Sequence, residues 1–131
     1  MKSGKTKNLF TVPDAKAPGT ELFEAILTSG GNQDCAASHP LQSGQPGLLV
    51  ERIISQGETT PEGEWYDQER DEWVAVLEGE ARLAFEDGSE RTLERGDYIF
   101  LPRRFRHRVT YTSSPCIWLA IHGNGLLPAV E

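Results

Sequence analysis

Residue types and patterns that mark several large classes of protein are scarce in this sequence. Its 131 residues include two cysteines, Cys35 and Cys116, which are too few for a disulfide framework and do not form a CxxC metal pair. No apolar run approaches the roughly 18 residues that a membrane-spanning helix needs. The basic residues at positions 1–7 are not followed by an apolar signal segment. These absences predict a cytoplasmic domain with reduced thiols and no membrane partner.

Positive charge is in short supply as well. Lysine and arginine together number 13 against 20 aspartates and glutamates, so the formal net charge is −7 at pH 7. An acidic chain is poorly suited to the polyanionic backbone of nucleic acid or to an anionic membrane surface. The length allows one domain with a core of its own, but not two. We therefore expect a single domain that does not bind nucleic acid.

A sustained helical pattern is also absent, and strand signals take its place. From Leu48 onward, short apolar segments alternate with turn residues at nearly regular intervals, which is typical of an all-β sandwich or barrel. Residues 20–27 fit either a short helix or a strand, and we favour a strand because the rest of the pattern is β. The prediction is an all-β jelly roll over residues 48–131, with a flat sandwich fitting almost as well. Residues 1–47 would supply an arm, an edge strand and a long loop.

The segment from Asp71 to Gly79 places a carboxylate at the start of a strongly β-prone stretch. Alternate side chains share one face of a strand, so Glu72 and Val74 point to the same side. Both faces are largely apolar, which suits a strand that is covered on both sides. A charged residue at the end of such a strand indicates the mouth of a site.

Two groups of residues in this region resemble the two signatures of the cupin family. The second signature is similar to the spacing of three residues: Gly96, Pro102 and His107. The end of the first signature resembles Glu72 and Gly79, and sixteen residues lie between Gly79 and Gly96. That gap is close to the short spacing in small single-domain microbial cupins. The resemblance covers about residues 48–122, and it implies a cupin-type jelly-roll β-barrel with its site inside.

The histidine pair of the first cupin signature is missing from this chain. In one register its two places fall on Tyr66 and Gln68, and in the other register on Trp65 and Asp67. Neither register supplies a histidine. The fold therefore carries over from the resemblance better than the metal site does.

The resemblance implies a divalent metal, such as iron, manganese, zinc or nickel, with Glu72 and His107 as potential ligands. His122 would complete a set of two histidines and one carboxylate if its strand face points inward, and such a set holds non-haem Fe(II) with open positions. Asp67 is a further candidate, because aspartate is a better ligand for these ions than glutamine or tyrosine. On the competing interpretation, His107 is a core residue and His122 lies in solvent.

Aromatic and amide side chains form a second set of candidates, for the wall of a ligand pocket. Aromatic rings supply apolar area, and a neighbouring amide can orient a polar ligand. Strand alternation places Tyr111 on the same face as His107. The predicted pocket residues are Trp65, Tyr66, Gln68, Tyr111 and Trp118. For the adjacent pair Trp65 and Tyr66, the competing interpretation is an aromatic cover over the open edge of the barrel.

Two functions of different class are compatible with these residues, since fold alone does not decide chemistry. In the first, the barrel holds a divalent metal that acts on a small polar molecule, with or without catalysis. In the second, the protein binds or senses a small ligand without metal, and Glu72 and His107 form hydrogen bonds to that ligand. The missing histidine pair counts against the first function, whereas the retained Glu72 and His107 support it. Of the two, the sequence favours metal binding, with catalysis less favoured, and the metal-free module is the alternative.

A homodimer is the last expectation from the sequence. Small cupins resemble one another in pairing through an edge strand or an N-terminal segment. The apolar stretch Leu48–Ile54 would otherwise be an open strand edge with the potential to pair.

Overall fold

The computed structural model describes residues 4–12, 21–29 and 47–129. Within these ranges the chain forms eight strands and no helix. The strands are β1 (Leu22–Ser29), β2 (Leu48–Ser55), β3 (Asp71–Glu78), β4 (Glu80–Phe85), β5 (Glu90–Glu94), β6 (Tyr98–Leu101), β7 (His107–Thr112) and β8 (Cys116–Gly123). The described part of the chain thus contains no helix long and apolar enough to span a membrane.

The eight strands are divided between two antiparallel sheets. One sheet has five strands in the order β1-β2-β8-β3-β6, and the other has three in the order β5-β4-β7. Both sheets contribute to one buried apolar cluster, which includes Val74 and Val76 of β3 and Leu83 and Phe85 of β4. These residues recur at every second position because strand side chains alternate between the two faces. The predicted all-β fold is confirmed.

The inward faces of the strands supply most of the stabilising burial. Val76 is fully buried and Leu83 is 2% exposed. Burial of such a side chain contributes about 1.5–3 kcal/mol relative to leaving it in water. Toward one end of the sheets the inward positions change from apolar to polar, beginning at Glu72 and His107, which are 7% and 5% exposed. This change in side-chain chemistry, rather than a change in fold, creates the site.

The turn between β3 and β4 is closed around Gly79. Its φ of +89° is a backbone conformation that side chains other than glycine rarely adopt. A β-carbon at this position would lie 2.6 Å from the carbonyl oxygen of Pro115 and would overlap the hydroxyl of Ser113. That hydroxyl accepts a hydrogen bond from the backbone N–H of Glu80 at 2.8 Å. This hydrogen bond therefore connects the start of β4 to the loop before β8.

One edge strand of the five-stranded sheet is β1 rather than β2, and the other is β6. The apolar stretch at the start of β2, expected to be an open edge, pairs with β1 on one side and β8 on the other. The strand favoured for residues 20–27 is present as β1, and among the described strands it pairs with β2 alone. Four large apolar side chains on β1 are 38–56% exposed. They are Leu22, Phe23, Ile26 and Leu27.

A short N-terminal segment lies against the outer side of β1 and β2. The guanidinium of Arg52, a residue only 6% exposed, donates hydrogen bonds to the carbonyl oxygens of Leu9 at 2.8 Å and Thr11 at 2.6 Å. The same guanidinium forms an ion pair with Glu24 at 2.8 Å. The arm is therefore tied to the sheet by one buried cation. The predicted long loop at 29–47, which contains Cys35 and His39, lies almost entirely outside the described residues.

Candidate functional site

A cavity of about 100 Å³ lies between the two sheets. It is small compared with the roughly 300–1,000 Å³ of pockets that hold drug-sized molecules, so it suits a ligand of a few non-hydrogen atoms. Its polar lining consists of Glu21, Glu51, Tyr66, Gln68, Glu72, His107 and His122. Its apolar lining consists of Phe23, Ile53, Val74, Leu83, Leu101, Val109 and Trp118.

The structure selects one of the two registers for the residues in place of the missing histidine pair. Tyr66 and Gln68 line the cavity, whereas their neighbours Trp65 and Asp67 do not. The selection comes from a β-bridge, in which Tyr66 and His107 exchange backbone hydrogen bonds of 2.7 and 3.1 Å. The bridge also stacks the two rings with centroids 5.4 Å apart. Because side chains alternate along an extended segment, the neighbours of Tyr66 point away.

The predictions for Asp67 and Trp65 therefore need correction. Asp67, a predicted metal ligand, forms an ion pair with Arg104 at 3.1 Å, and its side chain is 36% exposed. Trp65, a predicted pocket residue, lies beneath the guanidiniums of Arg106 and Arg108, whose central carbons are 5.8 and 5.9 Å from its ring centroid. Neither side chain is part of the cavity lining.

The prediction for Tyr111 is also corrected, because β7 contains a bulge. The ladder between β4 and β7 pairs Tyr111 with Arg82 and Val109 with Leu83, so Thr110 is an extra residue. Beyond the bulge the faces are exchanged, and Thr112 becomes the buried residue. Tyr111 is 41% exposed, with the guanidinium of Arg82 5.3 Å from its ring centroid.

Glu72 is a buried carboxylate that points into the cavity. It lies on β3 opposite His122 of β8, and it is 7% exposed. Among the described residues no hydrogen bond reaches its side chain, and the nearest cationic atom is Nε2 of His122 at 4.0 Å. Burial raises the pKa of Glu72, and the nearby His122 and His107 offset only part of that rise. The carboxylate is therefore placed to accept hydrogen bonds from a ligand.

Among the described residues, one ring nitrogen of His107 has a hydrogen-bond partner and the other has none. Its Nδ1 lies 2.9 Å from the carbonyl oxygen of Phe105. A carbonyl oxygen can only accept, so the Nδ1 proton is directed to it, which leaves Nε2 as the nitrogen available to a ligand. Of the residues that the cupin signatures imply, Glu72 and His107 both line the cavity.

His122 lines the cavity too, and a glutamate that the sequence reading missed holds it there. Its Nε2 donates to Oε1 of Glu51 at 2.9 Å. Burial, aided slightly by Arg70, would lower the pKa of His122, but the hydrogen bond to Glu51 and the charges of Glu72 and Glu51 outweigh it and raise that pKa. The available signal was a glutamate, next to Arg52, within the otherwise largely apolar strand β2.

Glu21 is a second carboxylate that the sequence reading missed. Its Oε2 accepts a hydrogen bond of 2.7 Å from the hydroxyl of Ser55, which in turn accepts one of 3.0 Å from the indole N–H of Trp118. This chain fixes the predicted pocket residue Trp118 in the cavity wall. Burial raises the pKa of Glu21, and the bond to Ser55 offsets part of the rise.

These residues do not fit a closed divalent-metal site. Glu72 and His107 offer two good donors, but the two places of the missing histidine pair hold Tyr66 and Gln68, which are weak ligands for iron, manganese, zinc or nickel. The ring nitrogen of His122 closest to Glu72 is bonded to Glu51. In the described ranges, no three or more His, Cys, Asp or Glu side chains are arranged to hold a metal ion.

We expect the stability of the protein to fall as pH rises above 6.5. The folded pKa of His122 lies above the unfolded value of 6.5, so the folded state binds the proton more tightly. The contribution is complete below pH 6.5 and is lost as pH rises through the folded pKa, with a slope of at most about 1.4 kcal/mol per pH unit for one proton. Urea unfolding between pH 6 and 9 measures this slope.

The matched variant for this experiment is Glu51→Gln, which keeps a hydrogen-bond acceptor but removes the charge. It should flatten the slope, whereas Glu78→Gln, at the exposed end of β3, should leave it unchanged. Equal slopes in the wild type and the Glu51 variant would refute the assignment.

Comparisons with known proteins agree with the fold. The family described as Cupin domain matches residues 51–122. No curated protein shows significant similarity to the chain. One similar solved structure is a protein of Ralstonia eutropha JMP134 provisionally named as a mannose-6-phosphate isomerase. It is 34% identical, with a TM-score of 0.72 over 93% of this chain and 100% of that chain.

Two more distant structures show the same fold. A cupin superfamily protein of Desulfitobacterium hafniense DCB-2 is 16% identical, with a TM-score of 0.60 over 84% of this chain and 83% of that one. A conserved protein of Streptococcus pyogenes is 14% identical, with a TM-score of 0.64 over 97% of this chain and 93% of that one. At such identities the likeness concerns the fold alone.

Proposed function

This chain belongs to the cupin domain family, and from that premise we propose that it binds a small polar ligand between its sheets without a resident divalent metal. One observation carries the proposal. Tyr66 and Gln68 stand in the places of the missing histidine pair, and they line one cavity together with Glu72 and His107. Four residues at the ligand positions of the two signatures thus supply hydrogen-bonding groups rather than a complete metal set.

The four groups are complementary in their hydrogen-bonding roles. The Glu72 carboxylate is acceptor-only when ionised, whereas the Tyr66 hydroxyl and the Gln68 amide can each donate and accept. Nε2 of a neutral His107 accepts, because its Nδ1 proton is directed to Phe105. A ligand with two hydrogen-bond donors could therefore pair with the Glu72 carboxylate and with Nε2 of His107 at once. The apolar residues opposite them would enclose a short hydrocarbon portion.

The provisional name of the Ralstonia eutropha relative suggests a second candidate ligand, a phosphorylated sugar. Sequence identity of 34% over 93% of the chain favours a related ligand. The three carboxylates in the cavity, Glu21, Glu51 and Glu72, oppose it, because they would repel a phosphate group. A volume of about 100 Å³ is also small for a hexose phosphate. We therefore place this candidate second.

Two measurements test the proposed function. Elemental analysis of protein purified without an affinity tag should find no iron, manganese, zinc or nickel near one equivalent. Small polar compounds, with mannose 6-phosphate among them, should shift the side-chain ¹⁵N resonances of His107 and the indole N–H of Trp118 in the metal-free protein. Near-stoichiometric metal that is lost in the Glu72→Ala plus His107→Ala variant would refute the metal-free proposal and restore the metal site.

We also propose that the protein is a homodimer that pairs through β1. Among the described strands β1 pairs with β2 alone, and it exposes apolar side chains; native proteins rarely leave such an edge open. Sedimentation at about 50 µM should give twice the 14.5 kDa mass of the chain. Leu27→Lys, at a β1 residue that is 56% exposed, should shift the protein toward monomer by placing charge on the edge. Leu127→Lys, at a residue that is 85% exposed near the C-terminus, should not. A wild-type monomer would contradict the pairing.

A further inference from the structure

The ionisable side chains that line the cavity are mostly acidic. Three carboxylates line it, and two of them, Glu51 and Glu72, are 6% and 7% exposed. The cationic group that faces them from the lining is His122, which directs its proton to Glu51. Arg70 lies close enough to lower the pKa of His122, but it is not part of the lining. With Glu21, Glu51 and Glu72 ionised, His122 protonated and His107 neutral, the lining carries three negative charges and one positive charge.

Glu72 has no hydrogen-bond donor among the described residues, and this separate observation points to a ligand. Its carboxylate is more than nine-tenths buried and faces the cavity, and no described residue donates a hydrogen bond to it. Leaving a buried acceptor without a partner costs about 1–3 kcal/mol, and more for a charged group. By contrast, Glu51 has His122 and Glu21 has Ser55 as hydrogen-bond donors. Glu72 is therefore the carboxylate that a bound molecule would satisfy.

The apolar and aromatic residues of the cavity lining favour an organic cation over a metal ion. Val74, Leu83 and Val109 line the cavity and offer no ligand atoms. Tyr66 and Trp118 also line it, and a cation near the face of an aromatic ring is attracted by the ring quadrupole. A divalent metal gains nothing from such a wall, whereas the alkyl groups of an organic cation are buried by it.

From the carboxylates, the aromatic rings and the apolar wall of this one cavity, we propose that the ligand is a small organic cation, a protonated amine with a short alkyl group. This inference rests on the proposed function and specifies the class of ligand. The ammonium group would donate to Glu72 and lie beside Tyr66, while the alkyl group would contact Val74 and Leu83. A phosphate or carboxylate on the ligand would meet the same three glutamates and be repelled.

Three probes of similar size and different charge test the inference: isopropylammonium, 2-propanol and acetate. Each is titrated into the full-length protein at pH 7 while the side-chain ¹⁵N resonances of His107 and His122 and the indole N–H of Trp118 are followed. Isopropylammonium should bind at least about tenfold more tightly than 2-propanol, the factor expected for one hydrogen bond to a charged group. Acetate should produce no saturable shift.

Two variants test whether the preference for the cation depends on Glu72. Glu72→Gln should remove most of the preference for the cation over 2-propanol, whereas Glu78→Gln, on the same strand with a half-exposed side chain, should leave it intact. Equal or tighter binding of 2-propanol or acetate at the same resonances would overturn the cation inference and leave the proposed function standing. If no probe of any charge shifts these resonances, or if Zn²⁺ alone shifts them at one equivalent, both proposals fail.

Discussion

Replacing Gly79 with alanine should destabilise the protein by about 2–5 kcal/mol. About 1–2 kcal/mol comes from placing an L-residue in the left-handed region, since the φ of Gly79 is +89°. A further 1–3 kcal/mol comes from overpacking. The added methyl group would overlap the Ser113 hydroxyl and lie 2.6 Å from the carbonyl oxygen of Pro115. Relief of that overlap would break the hydrogen bond that Ser113 receives from the N–H of Glu80.

Gly88 supplies a matched control for this substitution. Its φ is +90°, and a β-carbon there would have no atom within 4 Å. Gly88→Ala should therefore cost only the backbone term of about 1–2 kcal/mol. Denaturant unfolding of the two variants side by side separates conformational strain from steric overlap. Equal losses of stability would show that the close approach at Gly79 is relieved without cost.

Replacing Glu72 with glutamine should have opposite effects on binding and on stability. Binding of a small ammonium ligand should weaken by roughly 30-fold or more, because the loss of one partner of a buried charge pair costs about 2–5 kcal/mol. The unliganded protein should become more stable above pH 4.5. The folded pKa of Glu72 lies above that unfolded value, so stability is lost as the carboxylate ionises in its buried position.

The two effects of Glu72→Gln are measured by ligand titration and by urea unfolding of the ligand-free protein at pH 5 and pH 8. The gain in stability should be larger at pH 8, where the wild-type side chain is ionised to a greater extent. Glu78→Gln should change neither quantity, because that side chain is half exposed. A Glu72 variant that loses stability at both pH values would show that the carboxylate contributes to the fold rather than opposing it.

The parts of this protein that sequence predicts are those set by local pattern and spacing. Regular strand and turn signals from Leu48 onward were sufficient for the all-β fold. The distances from Gly96 to His107 and from Glu72 to Gly79 were sufficient to propose two residues that both line the cavity. These inferences succeed because strand alternation and signature spacing depend only on residues close together in the chain.

The parts that sequence did not predict depend on contacts between distant segments. Strand alternation alone allows either register around Gln68, and the bridge between Tyr66 and His107 decides between them. One extra residue, Thr110, is sufficient to reverse the face of Tyr111. The role of Glu51 depends on β8, which places His122 within hydrogen-bond distance of it. The local sequence of β2, in which Glu51 is followed by Arg52, does not indicate that contact.

The anchoring of the N-terminal arm by Arg52 has a practical consequence for the preparation of the protein. Two of the acceptors of this buried guanidinium are main-chain oxygens of Leu9 and Thr11. A recombinant version that starts after Val12 would therefore lack both acceptors, and of its partners in the described ranges Glu24 alone would remain beside the guanidinium. Trimming residues 1–12 to aid crystallisation would thus expose the outer side of β1 and β2 to solvent.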